Sequence, residues 1–203
     1  MKIICVGLNY RRHAAEMGRP LPEEPMIFLK PDSALLKKNK PFFIPDFSKN
    51  LQFEAEVVLR ISKLGKGIAA KYAHRYYDAF TVGIDFTARD LQHRFSQAGH
   101  PWELSKTFDG SAPLGTFIPA EQFTNHSDIS FSLEVNGSLR QEGNTSDLIF
   151  SFAEIIEFVS RFYTLKTGDL IFTGTPSGVG PVKKGDHLVA RLEGETVLDF
   201  HVR

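Results

Sequence analysis

Hydrophobic and polar positions alternate with period two across residues 51–60, LQFEAEVVLR. Read as a strand, this stretch turns Leu51, Phe53, Ala55, Val57 and Leu59 to one face, and Gln52, Glu54, Glu56, Val58 and Arg60 to the other. The same reading predicts strands at residues 2–6, 26–29, 81–85 and 170–173, and a short extended piece at 41–45. Asn136-Gly137 between apolar runs predicts a hairpin of residues 129–135 and 138–141, and residues 186–193 and 196–202 predict a second one. Helical signals are fewer. Residues 11–17 stop at Gly18, residues 69–80 are rich in Ala and Tyr, and Thr87 with Asp90 fits a capping box that starts a helix running to 97. Ser151 with Glu154 caps a further helix to 162, with Ile155, Phe158, Val159 and Phe162 as its apolar stripe. The expected fold class is a β-rich α+β single domain over 1–203, since no repeat or linker divides the chain.

Composition sharpens this in three ways. Eighteen Phe residues among 203 favour a sheet-rich core. Lys+Arg and Asp+Glu both number 24, so no net field points to nucleic acid or to an anionic membrane. Cys5 is the single cysteine, so no internal disulfide forms, and its place in the run IICV predicts a buried, inert thiol. No apolar run approaches the roughly 18 residues of a membrane span, and the short run after Lys2 is too brief for a signal peptide, so a cytoplasmic location is expected.

Glu54 and Glu56 stand about 7 Å apart on one strand face. Like charges that close require solvent, a basic partner, a shared proton or a metal ion. Asp85 ends a second strand, behind Gly83, whose interior position marks close approach by a backbone or a ligand. Three carboxylates without clustered His or Cys suit a hard cation, Mg²⁺, Mn²⁺ or Ca²⁺, rather than Zn²⁺. Spacing alone leaves this open against a solvated edge strand. Three carboxylates around a dication also leave a net negative charge, and an anionic substrate would then call on Lys106 or Arg89. His13 and Glu16 share a face of the first helix, and the proline-rich residues 19–25 follow it, so this segment reads either as a mobile flap or as a plain surface helix. Asp90 reads as serving a helix N-terminus. The glycine-rich residues 174–181 lack the ending of a nucleotide-binding loop, and form either a tight turn or a source of amide N–H groups for a carboxylate.

Six segments in order carry a family resemblance: VGLNYRRHAAEM (6–17), FLKPDSAL (28–35), FEAEVVLRI (53–61), VGIDFTARDLQ (82–92), SKTFDGSAPLG (105–115) and GDLIFTGTPSGVGPVKKGD (168–186). The chain resembles the fumarylacetoacetate hydrolase family, in its small branch of acylpyruvate hydrolases and oxaloacetate decarboxylases. The resemblance implies a mixed-sheet β-roll with flanking helices, usually a homodimer. It also implies a divalent metal, Mg²⁺ or Mn²⁺ with Ca²⁺ as a substitute, held by Glu54, Glu56 and Asp85. His13 and Glu16 match a pair on an active-site lid, here residues 8–25, and Lys106 matches a lysine beside the metal. Gln92, Arg89 and Thr175 match positions near a bound oxoacid. The expected substrate is a small anionic 2-oxoacid. The expected reaction is hydrolysis of an acylpyruvate C–C bond or decarboxylation of oxaloacetate. Oxaloacetate keto–enol tautomerisation, another isomerase or dehydratase reaction, and a non-catalytic metal-binding module are the alternatives.

Overall fold

The computed structural model describes residues 1–203. Its central sheet has six strands in the order Met26–Lys30, Ile3–Gly7, Leu170–Phe172, Ala55–Ile61, Tyr77–Ile84 and Ile118–Pro119. Ile3–Gly7 runs parallel to Leu170–Phe172, and the other neighbours are antiparallel. A second, fully antiparallel sheet orders Ser138–Asn144, Ser130–Val135, His187–Leu192 and Glu195–His201. A small sheet joins Gly180–Pro181, Leu51–Phe53 and Thr87–Ala88, and Leu35–Leu36 pairs in parallel with Ala112–Pro113. Three helices flank the sheets: α1 (Arg11–Glu16), α2 (Arg89–Gln97) and α3 (Phe152–Phe162). The expected β-rich α+β class is the class observed.

The period-two pattern of residues 51–60 becomes two packed faces. Leu51, Phe53, Ala55, Val57 and Leu59 enter the main core with Phe80, Val82, Phe131 and Leu198. Val58 points the other way, into a smaller core with Cys5, Phe28 and Phe172. Each fully buried aliphatic side chain contributes about 1.5–3 kcal/mol. Both faces of the strand are therefore covered, and a carboxylate on it has no route to open solvent through the sheet. Gly83 makes this double cover possible, but not for a ligand. A Cβ there would meet the Phe172 ring at 2.5 Å and Val58 at 2.9 Å, so the close approach is packing within the sheet.

Local signals formed where they were read. Asn136 and Gly137 adopt φ of 54° and 75°, the pair of positive values of a type I′ hairpin turn. Ser151 and Glu154 make the reciprocal capping box at α3. Three expectations change. Residues 69–80 are not one helix: a 3₁₀ turn covers Ala70–Arg75, and Tyr77–Ile84 is a strand paired with Ala55–Ile61. Pairing in the sheet, with Tyr77 and Phe80 packed on Phe152, outweighs the helix preference of Ala. No capping box forms at Thr87, because Thr87–Ala88 pairs with Leu51 and Gln52 and the helix begins at Arg89. The buried face of α3 is Phe152, Ile155, Ile156 and Val159, which leaves Phe158 half-buried and Phe162 exposed.

Candidate active site

The carboxylate strand is interrupted at Glu54. Leu51–Phe53 belongs to the small sheet and Ala55–Ile61 to the six-stranded one, so Glu54 sits in the gap between two ladders. Register does the rest. Ala55 faces Ile84 and Glu56 faces Gly83, which brings Asp85 opposite Glu54, and Asp85 N–H donates to the Glu54 carbonyl at 2.8 Å. Glu54, Glu56 and Asp85 are all buried, and one oxygen from each lies within 4.8 Å of the others. Because side chains two apart share a face, the fold needs only one long-range pairing to complete the trio.

Three cations converge on them. Lys106 Nζ lies 2.8 Å from Glu54 Oε2 and 2.6 Å from Asp85 Oδ2. Arg89 donates to Glu54 Oε1 at 2.6 Å, to Gln52 Oε1 at 2.9 Å and to Gln92 Oε1 at 2.6 Å. Lys30 Nζ, fully buried, stands 2.8 Å from Asp85 Oδ1. Its hydrogen bonds go instead to the carbonyls of Lys106 and Ser111 and to Ser111 Oγ. The Lys30–Asp85 contact is thus one of charge, and Asp85 Oδ1 accepts no hydrogen bond.

The surroundings set the protonation. Burial raises Glu54, but the charges of Lys106 and then Arg89 outweigh it and hold the carboxyl at about 2. Burial and the charges of Asp85 and Glu54 push Glu56 well above the usual carboxylate range, against a 2.7 Å hydrogen bond from Gly174 N–H. Burial lowers Lys106, yet Asp85 and Glu54 outweigh it and raise it above the ordinary lysine range. Glu56 is the one member of the trio in contact with no cation. A buried carboxylate lacking a counter-charge, a buried carboxylate oxygen lacking a donor, and an oxygen-only ligand set together fit a hard divalent cation.

The trio lies at one wall of a cavity of about 920 Å³. His13, Lys106, Arg89, Gln92 and Thr175 all line it, so every residue expected at the site comes together there except Glu16. Glu16 supports His13 from behind: His13 Nδ1 and Glu16 Oε2 are 3.0 Å apart. Glu16 also accepts from Gly178 N–H at 3.1 Å, which ties α1 to the glycine-rich loop. That loop therefore gives its amides to carboxylates of the protein itself, Gly174 to Glu56 and Gly178 to Glu16. Arg19, Pro20, Leu21 and Pro22 cover the cavity from the segment after α1.

Two participants were missed in the sequence. Lys30 shared a strand face with buried Phe28, and a lysine on an apolar face requires an anion, which was the available signal. Gln141, midway along the strand Ser138–Asn144 and hydrogen-bonded to Thr175 Oγ1, offered none.

The buried carboxylate trio beside the cavity has the donor chemistry to hold a hard cation next to a small ligand. Residues 2–203 match the fumarylacetoacetate (FAA) hydrolase C-terminal model, and the chain belongs to the fumarylacetoacetate hydrolase family, whose named relatives are enzymes. It is 40% identical over 197 residues to the oxaloacetate tautomerase YcgM of Escherichia coli (strain K12), covering 97% of this chain and 90% of that one. It is 40% identical over 200 residues to the mitochondrial oxaloacetate tautomerase FAHD1 of Homo sapiens, covering 98% and 90%. Among solved structures, fumarylpyruvate hydrolase from Pseudomonas aeruginosa, in complex with Mn²⁺ and pyruvate, superposes with a TM-score of 0.94 at 39% identity, covering 100% of this chain and 89% of that one. No helix is long and apolar enough to cross a membrane.

Proposed function

We propose that this protein is a divalent-metal-dependent enzyme acting on small 2-oxoacids through their enolates. Oxaloacetate keto–enol tautomerisation is its core reaction, and hydrolysis of acylpyruvates uses the same site. The observation that carries this reading is charge matching. Glu54, Glu56 and Asp85 are matched in number by Lys30, Lys106 and Arg89, which pair with Glu54 and Asp85 and leave Glu56 for an ion. Adding a dication leaves two positive charges, and both the oxaloacetate dianion and the enolate of an acylpyruvate, a monoacid, carry two negative ones. The relatives named as tautomerases favour tautomerisation over the decarboxylation expected from sequence.

A Mg²⁺ or Mn²⁺ ion held by Glu54, Glu56 and Asp85 would supply the Lewis acidity that favours the enolate. The residues of the chain divide the remaining work. The Lys106 ammonium, held positive by its neighbours, adds charge where the enolate oxygen develops. Arg89 fixes Glu54 and Gln92, and two of its five N–H groups remain for a substrate carboxylate. Gln92 uses its oxygen on Arg89, so its NH₂ is left as a donor to the cavity. His13 donates Nδ1–H to Glu16, which leaves Nε2 as the basic nitrogen. That nitrogen moves the C3 proton in tautomerisation. In hydrolysis it deprotonates the water that attacks the distal carbonyl, so the C–C bond breaks to pyruvate enolate and a carboxylic acid. Residues 8–25 act as the lid, latched by Glu16 on Gly178.

The test is a panel of oxaloacetate, acetylpyruvate and fumarylpyruvate with Mg²⁺, Mn²⁺ and a chelator. Turnover with either ion and its loss on chelation are expected. Full turnover after chelation would overturn the reading.

A further inference from the structure

We propose that Gln141 is a positioning residue that sets the direction of the Thr175 hydroxyl, so that Thr175 presents its proton to the substrate. This rests on Thr175 meeting the bound oxoacid, as in the function proposed above. Gln141 lies on the strand Ser138–Asn144 and is 1% exposed. Its carboxamide makes three hydrogen bonds, and the partners leave no choice about which end is which. Ala55 N–H can only donate, and it reaches Oε1 at 2.9 Å. The Pro176 carbonyl can only accept, and it takes Nε2 at 3.0 Å. Nε2 therefore also donates to Thr175 Oγ1, at 2.8 Å.

A hydroxyl has one proton to give. With Thr175 Oγ1 accepting from Gln141, that proton has no acceptor within the protein, and Thr175 lines the cavity. An anionic oxygen is the partner that proton is set up to meet, while a ligand donor would find only the one lone pair that Gln141 leaves free. The selection falls on the carboxylate or oxo oxygens of a 2-oxoacid, against an amide N–H or a protonated acid in the same place.

The same carboxamide ties the hydroxyl to the acidic trio. Ala55 N–H lies between Glu54 and Glu56, at the gap between the two ladders. Gln141 satisfies it there, so one side chain from a different sheet links the interrupted strand to the Thr175 loop.

The experiment measures pyruvate affinity of the Mn²⁺-loaded protein by calorimetry in a double-mutant cycle. Gln141→Glu can only accept, so it takes the Thr175 proton for itself and reverses the bond. Loss of a hydrogen bond to a charged acceptor weakens binding by about tenfold or more. We expect Q141E to raise the pyruvate Kd about tenfold more in the wild-type background than in T175V, the added charge acting equally in both. T175S should keep wild-type pyruvate affinity, and T175V should lose it. Equal weakening by Q141E in both backgrounds would overturn the role of Gln141. T175V binding pyruvate as wild type does would overturn it through the Thr175 contact. Wild-type Mn²⁺ protein that binds no pyruvate would instead overturn the underlying functional reading. If Q141E does not fold, Q141L, which releases the hydroxyl without taking its proton, should still weaken pyruvate binding more in the wild-type background than in T175V, and equal weakening in both would overturn the role of Gln141.

Discussion

Lys30→Met removes a buried charge without touching any carboxylate, and its cost follows from the contacts. Lys30 Nζ is fully buried and 2.8 Å from Asp85 Oδ1. At an effective dielectric of about 20, unit charges at that distance attract by about 6 kcal/mol. Desolvation of both ions offsets much of this, so the pair is not worth that amount to the fold. Removing one partner is different, because it strands the other, at about 3–5 kcal/mol. Lys106 still reaches Asp85 Oδ2, which argues for the lower end, about 3 kcal/mol. For a chain of this size 1 kcal/mol moves the melting temperature by about 2–4 °C, so K30M should melt roughly 6–12 °C below wild type without metal. Mn²⁺ should then raise the melting temperature of K30M more than that of wild type, because the ion neutralises the stranded Asp85. Differential scanning calorimetry with and without Mn²⁺ reads both effects. A metal-free K30M within about 2 °C of wild type, or an equal Mn²⁺ shift in both proteins, would refute the account of how the trio is balanced.

His13→Ala should lower acetylpyruvate hydrolysis by about 10²–10⁴-fold while the Mn²⁺ Kd stays as in wild type; unchanged cleavage would remove His13 from water activation. Asp90 offers a pH test away from the trio. Although burial opposes it, hydrogen bonds from Lys49 N–H, Ser48 Oγ and Leu91 N–H hold its carboxyl below the usual range. A depressed carboxylate stabilises the fold above its unfolded pKa, about 3.9, and that contribution fades as pH falls through the folded value. D90N should therefore melt below wild type at pH 7, with the gap closing toward pH 3. A gap of the same size at both pH values would show that the bonds to Ser48 and Lys49 do not depend on the charge.

The contrast between Glu56 and Asp85 shows what the sequence could carry. That Glu54 and Glu56 share a face follows from a period of two, and it survives the break between two sheets at Glu54. That Asp85 stands opposite Glu54 depends on pairing Ala55 with Ile84, 29 positions away, which spacing does not encode. Family resemblance supplied it. The same long-range pairing turned residues 77–80 from expected helix into strand, since local preference there was weaker than a place in the central sheet. Turn and cap chemistry at Asn136-Gly137 and at Ser151 with Glu154 is local, and was legible for that reason. The charge count anticipated a cation beside the carboxylates, but only the folded chain shows three, one of them Lys30. Gln141 acts through an amide contact across sheets, and such contacts leave no periodic mark.

The central claim is that Glu54, Glu56 and Asp85 together hold the ion on which 2-oxoacid chemistry depends. Its most direct test is enol-to-keto conversion of oxaloacetate, followed by ultraviolet absorbance during a Mn²⁺ titration of wild type and Glu56→Ala. Glu56 is the informative choice because no lysine or arginine contacts it, so its loss leaves the ion pairs of Glu54 and Asp85 in place. The account predicts that wild-type activity rises to saturation at one Mn²⁺ per chain and that E56A, folded and monitored by its melting temperature, shows no Mn²⁺-dependent rate. An E56A protein that tautomerises oxaloacetate at the wild-type rate with the same Mn²⁺ dependence would contradict it.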